Sequence, residues 1–327
     1  MLTTKLVAPR FAFILAVFAA GHAWPASIPF PAQGNDTAFS LGRFKIAVDF
    51  KFQPFLTGNP FFDAATGTLT SPLLFDAATT IGRSDPTISG SAADTAGTPA
   101  GTMGTIVPDA VFSNVPVGFE DPAAMTREIH TQIVNFFLSG GGVAVRAGLS
   151  APDQPGSFGE VVSTNKNGDP TKDLQAAMSF FDVFVDVDLP GIGSLYNKDA
   201  LLIQNNLVTS LPPTVVYIHG GSSAIPLLFR FDDLAHGIHA NDEFGFLVLA
   251  GHGVGFAPAG KGHGGEPGEV EFEAELSMHG NLPLPAGALA GAPPSTVPEP
   301  SALFLLGSGL VGIVVCGMRR RACARKP

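Results

Sequence analysis

A strict two-residue alternation of apolar and polar side chains recurs along the middle of this chain. No other sequence feature constrains the fold as much. From Arg43 to Phe52, Phe44, Ile46, Val48, Phe50 and Phe52 fall on one side, and Arg43, Lys45, Asp49 and Lys51 on the other. From Ser179 to Leu189, Phe181, Val183, Val185, Val187 and Leu189 form an apolar face, while Asp182, Asp186 and Asp188 share the opposite face with Phe184. From Glu269 to Leu276, Val270, Phe272, Ala274 and Leu276 alternate with Glu269, Glu271, Glu273 and Glu275. Successive strand side chains point to opposite faces, so these segments predict half-buried strands.

Further strands are predicted over Thr126–Leu138, Val143–Leu149, Gly159–Ser163, Ala200–Ile203, Thr214–Ile218, Ile225–Phe231 and Phe244–Ala250. Ser139-Gly140-Gly141-Gly142 reads as a hairpin connection. No amphipathic helical period persists through the body. Many short strands separated by Gly, Pro and Asn clusters predict an all-β fold, a β-sandwich of jelly-roll-like or Ig-like type. Residues 59–104, rich in Ala, Thr, Gly, Ser and Asp, read as a long decorated loop or irregular insertion with one or two short strands. Basic Arg43, Lys45 and Lys51 near the start of the body and the Glu269–Glu275 stripe near its end predict that these two segments are neighbouring strands. Opposite charges across a strand pair stabilise by about 0.2–1 kcal/mol each.

The two ends of the chain differ from the body. Lys5 and Arg10 precede an apolar run from Phe11 to Ala20, and Gly21-His22-Ala23 supplies small residues for cleavage. This predicts a secretory signal peptide over 1–23, with cleavage after Ala23 or, alternatively, Ala26. At the other end stand Val297-Pro298-Glu299-Pro300, an uncharged segment 301–318, and Arg319-Arg320-Arg321. Eighteen residues at a helical rise of about 1.5 Å span roughly 27 Å, near the thickness of a bilayer core. The arginines place their end in the cytoplasm. Pro298 and Pro300 lack backbone donors and favour an extended strip accessible to a processing enzyme.

These three elements, in this order, resemble the PEP-CTERM signal that exosortase recognises in Gram-negative bacteria making extracellular polysaccharide. The resemblance covers 297–322 and implies export followed by processing; a plain C-terminal membrane anchor is the alternative. The expected organisation is a signal peptide (1–23), an exported body (24–282), a Pro/Ala/Gly linker (283–296), the sorting signal with its transmembrane helix (297–322), and a basic cytoplasmic tail (323–327). The partners implied are signal peptidase and the Sec translocon, exosortase, the inner membrane before processing, and extracellular polysaccharide.

With the ends set aside, the body keeps eleven basic and 27 acidic side chains, a net charge of −16. Such a surface repels phosphate backbones, so no nucleic acid partner is expected. Both cysteines, Cys316 and Cys323, lie in the C-terminal segment, so the body forms no disulfide of its own and depends on its apolar core. Twenty-seven Phe against two Tyr and one Trp favour core packing over sugar stacking, since Phe has no polar handle.

Candidate chemistry is sparse. Val215-Val216-Tyr217-Ile218-His219-Gly220-Gly221 resembles the oxyanion-hole strand and loop of α/β-hydrolase esterases. No Gly-x-Ser-x-Gly elbow follows, and Gly251-His252-Gly253-Val254-Gly255 has His in the nucleophile's place. His236, His239 and Asp242 form a candidate Zn²⁺ set, because neutral imidazoles with a carboxylate suit that ion. Asp182, Asp186 and Asp188 form a candidate Ca²⁺ set. No residue is assigned a catalytic role and no cofactor is required. The expected function is a non-catalytic, exported surface or matrix protein; a cation- or glycan-binding module and a secreted hydrolase are the alternatives.

Overall fold

The computed structural model describes residues 29–96, 112, 115–116, 119, 122–166, 168–175, 177–255 and 267–285. The signal peptide, the sorting segment and all but the first residues of the linker lie outside them. The described body is all-β, as the alternation predicts. It contains β1 (Gly34–Val48), β2 (Phe62–Asp63), β3 (Thr68–Thr70), β4 (Leu74–Arg83), β5 (Thr87–Ile88), β6 (Arg127–Gly140), β7 (Val143–Gly148), β8 (Phe158–Ser163), β9 (Ala177–Val183) and β10 (Asp186–Leu189). Then follow β11 (Gly193–Asn197), β12 (Leu201–Val208), β13 (Val215–His219), β14 (Ile225–Phe229) and β15 (Glu243–Val254). Two α-helices, α1 (Ala92–Ala96) and α2 (Pro267–Met278), lie among the described residues. Neither is long and apolar enough to cross a membrane.

The pairing pattern corrects the sandwich expectation. All fifteen strands belong to one antiparallel sheet, and that sheet closes on itself. β1 pairs with β15 from Ser40↔Val254 to Val48↔Gly245. β1 also pairs with β4, and β4 with β6. The long strand β6 then pairs with β7 along its C-terminal half and with β8 along its N-terminal half. The same division runs around the wall. β7 meets β10 and β8 meets β9; β10 meets β11 and β9 meets β12. β11 meets β14 and β12 meets β13, and both β14 and β13 meet β15.

The result is an eight-stave up-and-down barrel in which four staves (β7–β8, β9–β10, β11–β12 and β13–β14) are interrupted midway. Each stave pairs with its neighbours in sequence, so no Greek-key crossover is needed. Among the described residues, closure leaves no long hydrogen-bonding edge exposed. Alternation alone does not distinguish two facing sheets from one closed sheet, because both bury one face.

The break between β9 and β10 shows how an interrupted stave survives. The inward series Phe181, Val183, Val185, Val187 and Leu189 stays buried straight through it. The freed backbone groups find side-chain partners. Phe184 N–H donates to Ser157 Oγ (2.9 Å), Val185 N–H to Asn197 Oδ1 (2.7 Å), and Asn197 Nδ2 donates to the Val183 carbonyl (2.8 Å). Buried backbone groups are thereby satisfied without a ladder.

The β6–β7 hairpin forms at the predicted glycines. Gly140 pairs with Val143, and Gly141 and Gly142 both have positive φ (57° and 83°), as a two-residue primed turn requires. β1 stops at Val48, earlier than predicted, so Phe50 is exposed. Phe52, which precedes the one-turn helix Gln53–Leu56, is buried against Phe229 and Phe244.

Two further expectations are overturned. Residues 59–104 hold more than one or two short strands, since they supply β4, a full stave, as well as β2, β3, β5 and α1. The Glu269–Leu276 segment is helical, not a strand. A period of two also places residues four apart on one side. Phe272 and Leu276 therefore share a helix face and pack on Leu41, Val216 and Ile218. Glu, Ala and Leu are good helix formers, and Pro267 suits the first helical turn. The charge reading survives in another form, since Arg43 Nη1 lies 2.8 Å from Glu273 Oε2. That pair ties the barrel wall to α2; it does not join two strands.

Candidate functional site

The barrel interior is packed with side chains. The apolar cavity beside His252, Phe136 and Leu138 measures about 60 Å³, far below the roughly 300–1,000 Å³ of small-molecule sites. Ionisable groups are concentrated elsewhere, on the outer face of the wall beneath a covering segment.

Along β6, Ile129 packs inward with Val161, so Glu128 and His130 point outward. β8 places Glu160 directly opposite His130. α1 brings up Asp94. All four side chains are fully buried. Phe112 and Phe119 pack edge-to-face on Phe180 beside them, and the Phe112 ring lies 6.2 Å from the His130 ring.

The geometry centres on the imidazole. His130 Nε2 lies 2.8 Å from Asp94 Oδ1 and 4.0 Å from Glu128 Oε1. On the other side of the ring, Nδ1 lies 3.9 Å from Glu160 Oε1. Each part is held in place. The Gly90 N–H donates to Asp94 Oδ2 at 2.6 Å, and His130 N–H donates to Ser84 Oγ at 3.0 Å. Ser84 N–H in turn donates to the His130 carbonyl at 2.9 Å. Among the described residues, Asp94, Glu128 and His130 are the set whose ligand atoms all lie within 4.8 Å of one another. One imidazole nitrogen with carboxylate oxygens is a donor set suited to a divalent cation. Sequence reading missed these residues. Glu128-Ile129-His130 looks like any solvated strand face, and Asp94 lies in the segment read as irregular.

The predicted cation sets are not brought together in this way. Asp186 and Asp188 lie beyond the break from Asp182, and arginines engage both. Arg230 pairs with Asp186 while its guanidinium lies 4.4 Å from the centroid of the Tyr196 ring, and Arg146 pairs with Asp188. Asp182 is buried on β9, opposite Leu202 and Phe158. His236, His239 and Asp242 lie in the turn between β14 and β15. His236 Nδ1 is 2.6 Å from Asp233 Oδ2, an interaction that lowers the Asp233 carboxyl pKa, and His239 N–H donates to Asp242 Oδ2 at 3.0 Å.

His219 also has a structural setting. Its Nδ1 accepts from Ala250 N–H at 3.3 Å, and Nε2 lies 3.1 Å from the Gly280 carbonyl. Burial lowers its pKa. The esterase-like loop connects two halves of one antiparallel stave, not a strand to a helix. The sorting residues Val297, Pro298, Glu299, Pro300, Arg319, Arg320 and Arg321 lie outside the described residues.

Comparisons with known proteins bear on that C-terminal segment. The family described as the PEP-CTERM protein-sorting motif matches residues 296–321. No curated protein matches the chain. Among solved structures, that of DynF from the dynemicin biosynthesis pathway of Micromonospora chersina is similar over 73% of this chain and 88% of that one, with 16% identity and a TM-score of 0.42. Residues 296–321 carry the PEP-CTERM protein-sorting motif, the signal borne by exosortase substrates.

Proposed function

We propose that this protein is an exosortase-processed, non-catalytic component of the cell surface or extracellular matrix, in contact with extracellular polysaccharide. The sorting motif at 296–321 carries this reading. A positively charged and apolar N-terminus of signal-peptide type and an acidic, cysteine-free body support it. In this account the signal peptide directs the chain through the Sec translocon. The apolar 301–318 segment holds it in the inner membrane with the arginines inside, and exosortase acts at the Pro298-Glu299-Pro300 strip.

Replacing Pro298, Glu299 and Pro300 together by Ala tests the reading in a host with an active exosortase. The expected outcome is accumulation of the unprocessed chain in the inner membrane, with loss of the surface form. A surface form unchanged in amount and length contradicts it.

A further inference from the structure

We propose that Asp94, Glu128 and His130 form a binding site for one divalent cation of Zn²⁺ type, with Glu160 holding the imidazole from behind. The inference does not depend on how the chain is sorted. Three carboxylates surround one imidazole, and all four groups are fully buried. The ligand atoms of Asp94, Glu128 and His130 already lie within 4.8 Å of one another. Tetrahedral Zn²⁺ holds its oxygen and nitrogen ligands at about 2.0–2.2 Å, so an outward shift of Asp94 opens the place for the ion.

The state of the ring supports the assignment. In the metal-free neutral form, a proton on Nε2 serves the 2.8 Å contact to Asp94. That tautomer leaves Nδ1 a buried acceptor, and Nδ1 has no hydrogen-bond partner. Facing a carboxylate at 3.9 Å, a bare lone pair is unfavourable. An ion on Nε2 moves the ring proton to Nδ1, where it points at Glu160. Closing that 3.9 Å gap would complete the carboxylate–histidine–metal arrangement that fixes the tautomer and raises ligand basicity. Asp94 comes from α1 and the other two ligands from β6, so the ion would bind the covering segment to the barrel wall.

The competing state is a doubly protonated imidazole between Asp94 and Glu160, with no ion. The test uses the full chain in detergent, unfolded with a chelator and refolded with or without Zn²⁺. Elemental analysis is expected to give about one Zn²⁺ per chain. At saturating Zn²⁺ the midpoint of thermal unfolding should rise by about 5 °C or more. The Asp94→Asn, Glu128→Gln double variant should fold to the same circular dichroism spectrum and lose both effects. Glu160→Gln should weaken Zn²⁺ binding by roughly 10- to 100-fold without abolishing it. A His236→Gln, His239→Gln variant serves as the control and should behave as the parent chain. Absence of stoichiometric Zn²⁺ and of any midpoint shift in the folded parent chain overturns the proposal. So does a midpoint shift that is equally large in the Asp94→Asn, Glu128→Gln variant.

Discussion

His252 and Gly159 show how single residues set the tolerance of this barrel. His252 is fully buried, its ring 4.8 Å from Phe136 in an edge-to-face contact, and its Nε2 has no partner. Burial pushes its pKa down to about 4, with Asp76 acting weakly the other way. The folded value lies below the ordinary 6.5, so the unfolded chain binds the proton first. The contribution of the neutral ring to stability is therefore complete above pH 6.5 and is lost as pH falls towards 4. Its full size is about 3 kcal/mol. Urea unfolding from pH 7 to pH 4 should show this loss in the parent chain and a shallower dependence in His252→Phe. Gly159 illustrates a steric limit, because a Cβ there would lie 2.0 Å from the Phe180 carbonyl oxygen. Gly159→Ala should cost about 3 kcal/mol or more, measured by the same unfolding curves. Neither property was legible in the sequence. His252 sits in a Gly-rich run that reads as a loop, and a close approach of two strands leaves no mark on one of them alone. The Asp94, Glu128, His130 and Glu160 cluster was hidden for the same reason, since three segments far apart in the chain build it.

Among the elements, α2 separates what a residue pattern encodes from what it leaves open. The alternating Glu269–Leu276 stripe correctly pointed to burial of Phe272 and Leu276 and to a charge partner in Arg43, but Ala274 of the same series is exposed. The stripe pointed to the wrong backbone, because Phe272 and Leu276 are four apart and satisfy both periods. Among the described side chains of the helix, Phe272 and Leu276 are the buried ones. Phe272→Ala should destabilise by about 3–5 kcal/mol. Glu273→Gln should cost about 0–1 kcal/mol, because the pair with Arg43 is about a third exposed and solvent-screened. Equal losses for the two variants would contradict this account of α2. By contrast, β4 was missed because Ala77, Ala78, Thr79 and Thr80 give it little apolar signal of its own. Its strand character comes from pairing with β1 on one side and β6 on the other. The strand predicted over Thr126–Leu138 matches β6 closely, whereas the one strand predicted over Ser179–Leu189 is broken into β9 and β10.

Taken whole, the molecule's all-β class was readable from alternation, but closure was not, because closure is a relation between the first and last staves. The β1–β15 seam makes the expectation measurable. Amides along Phe44–Val48 and Gly245–Leu249 should exchange with solvent as slowly as those of β6, through global unfolding. Fast exchange there would indicate an open edge. The sorting motif was fully legible because three short elements in fixed order need no tertiary context. The central claim, that the body is exported and freed from both terminal segments, is tested most directly by the intact mass of the protein recovered from the cell surface. The account predicts a chain lacking roughly 20–25 residues at its front and the apolar segment with its arginines behind. A surface form retaining Arg319, Arg320 and Arg321 would contradict it.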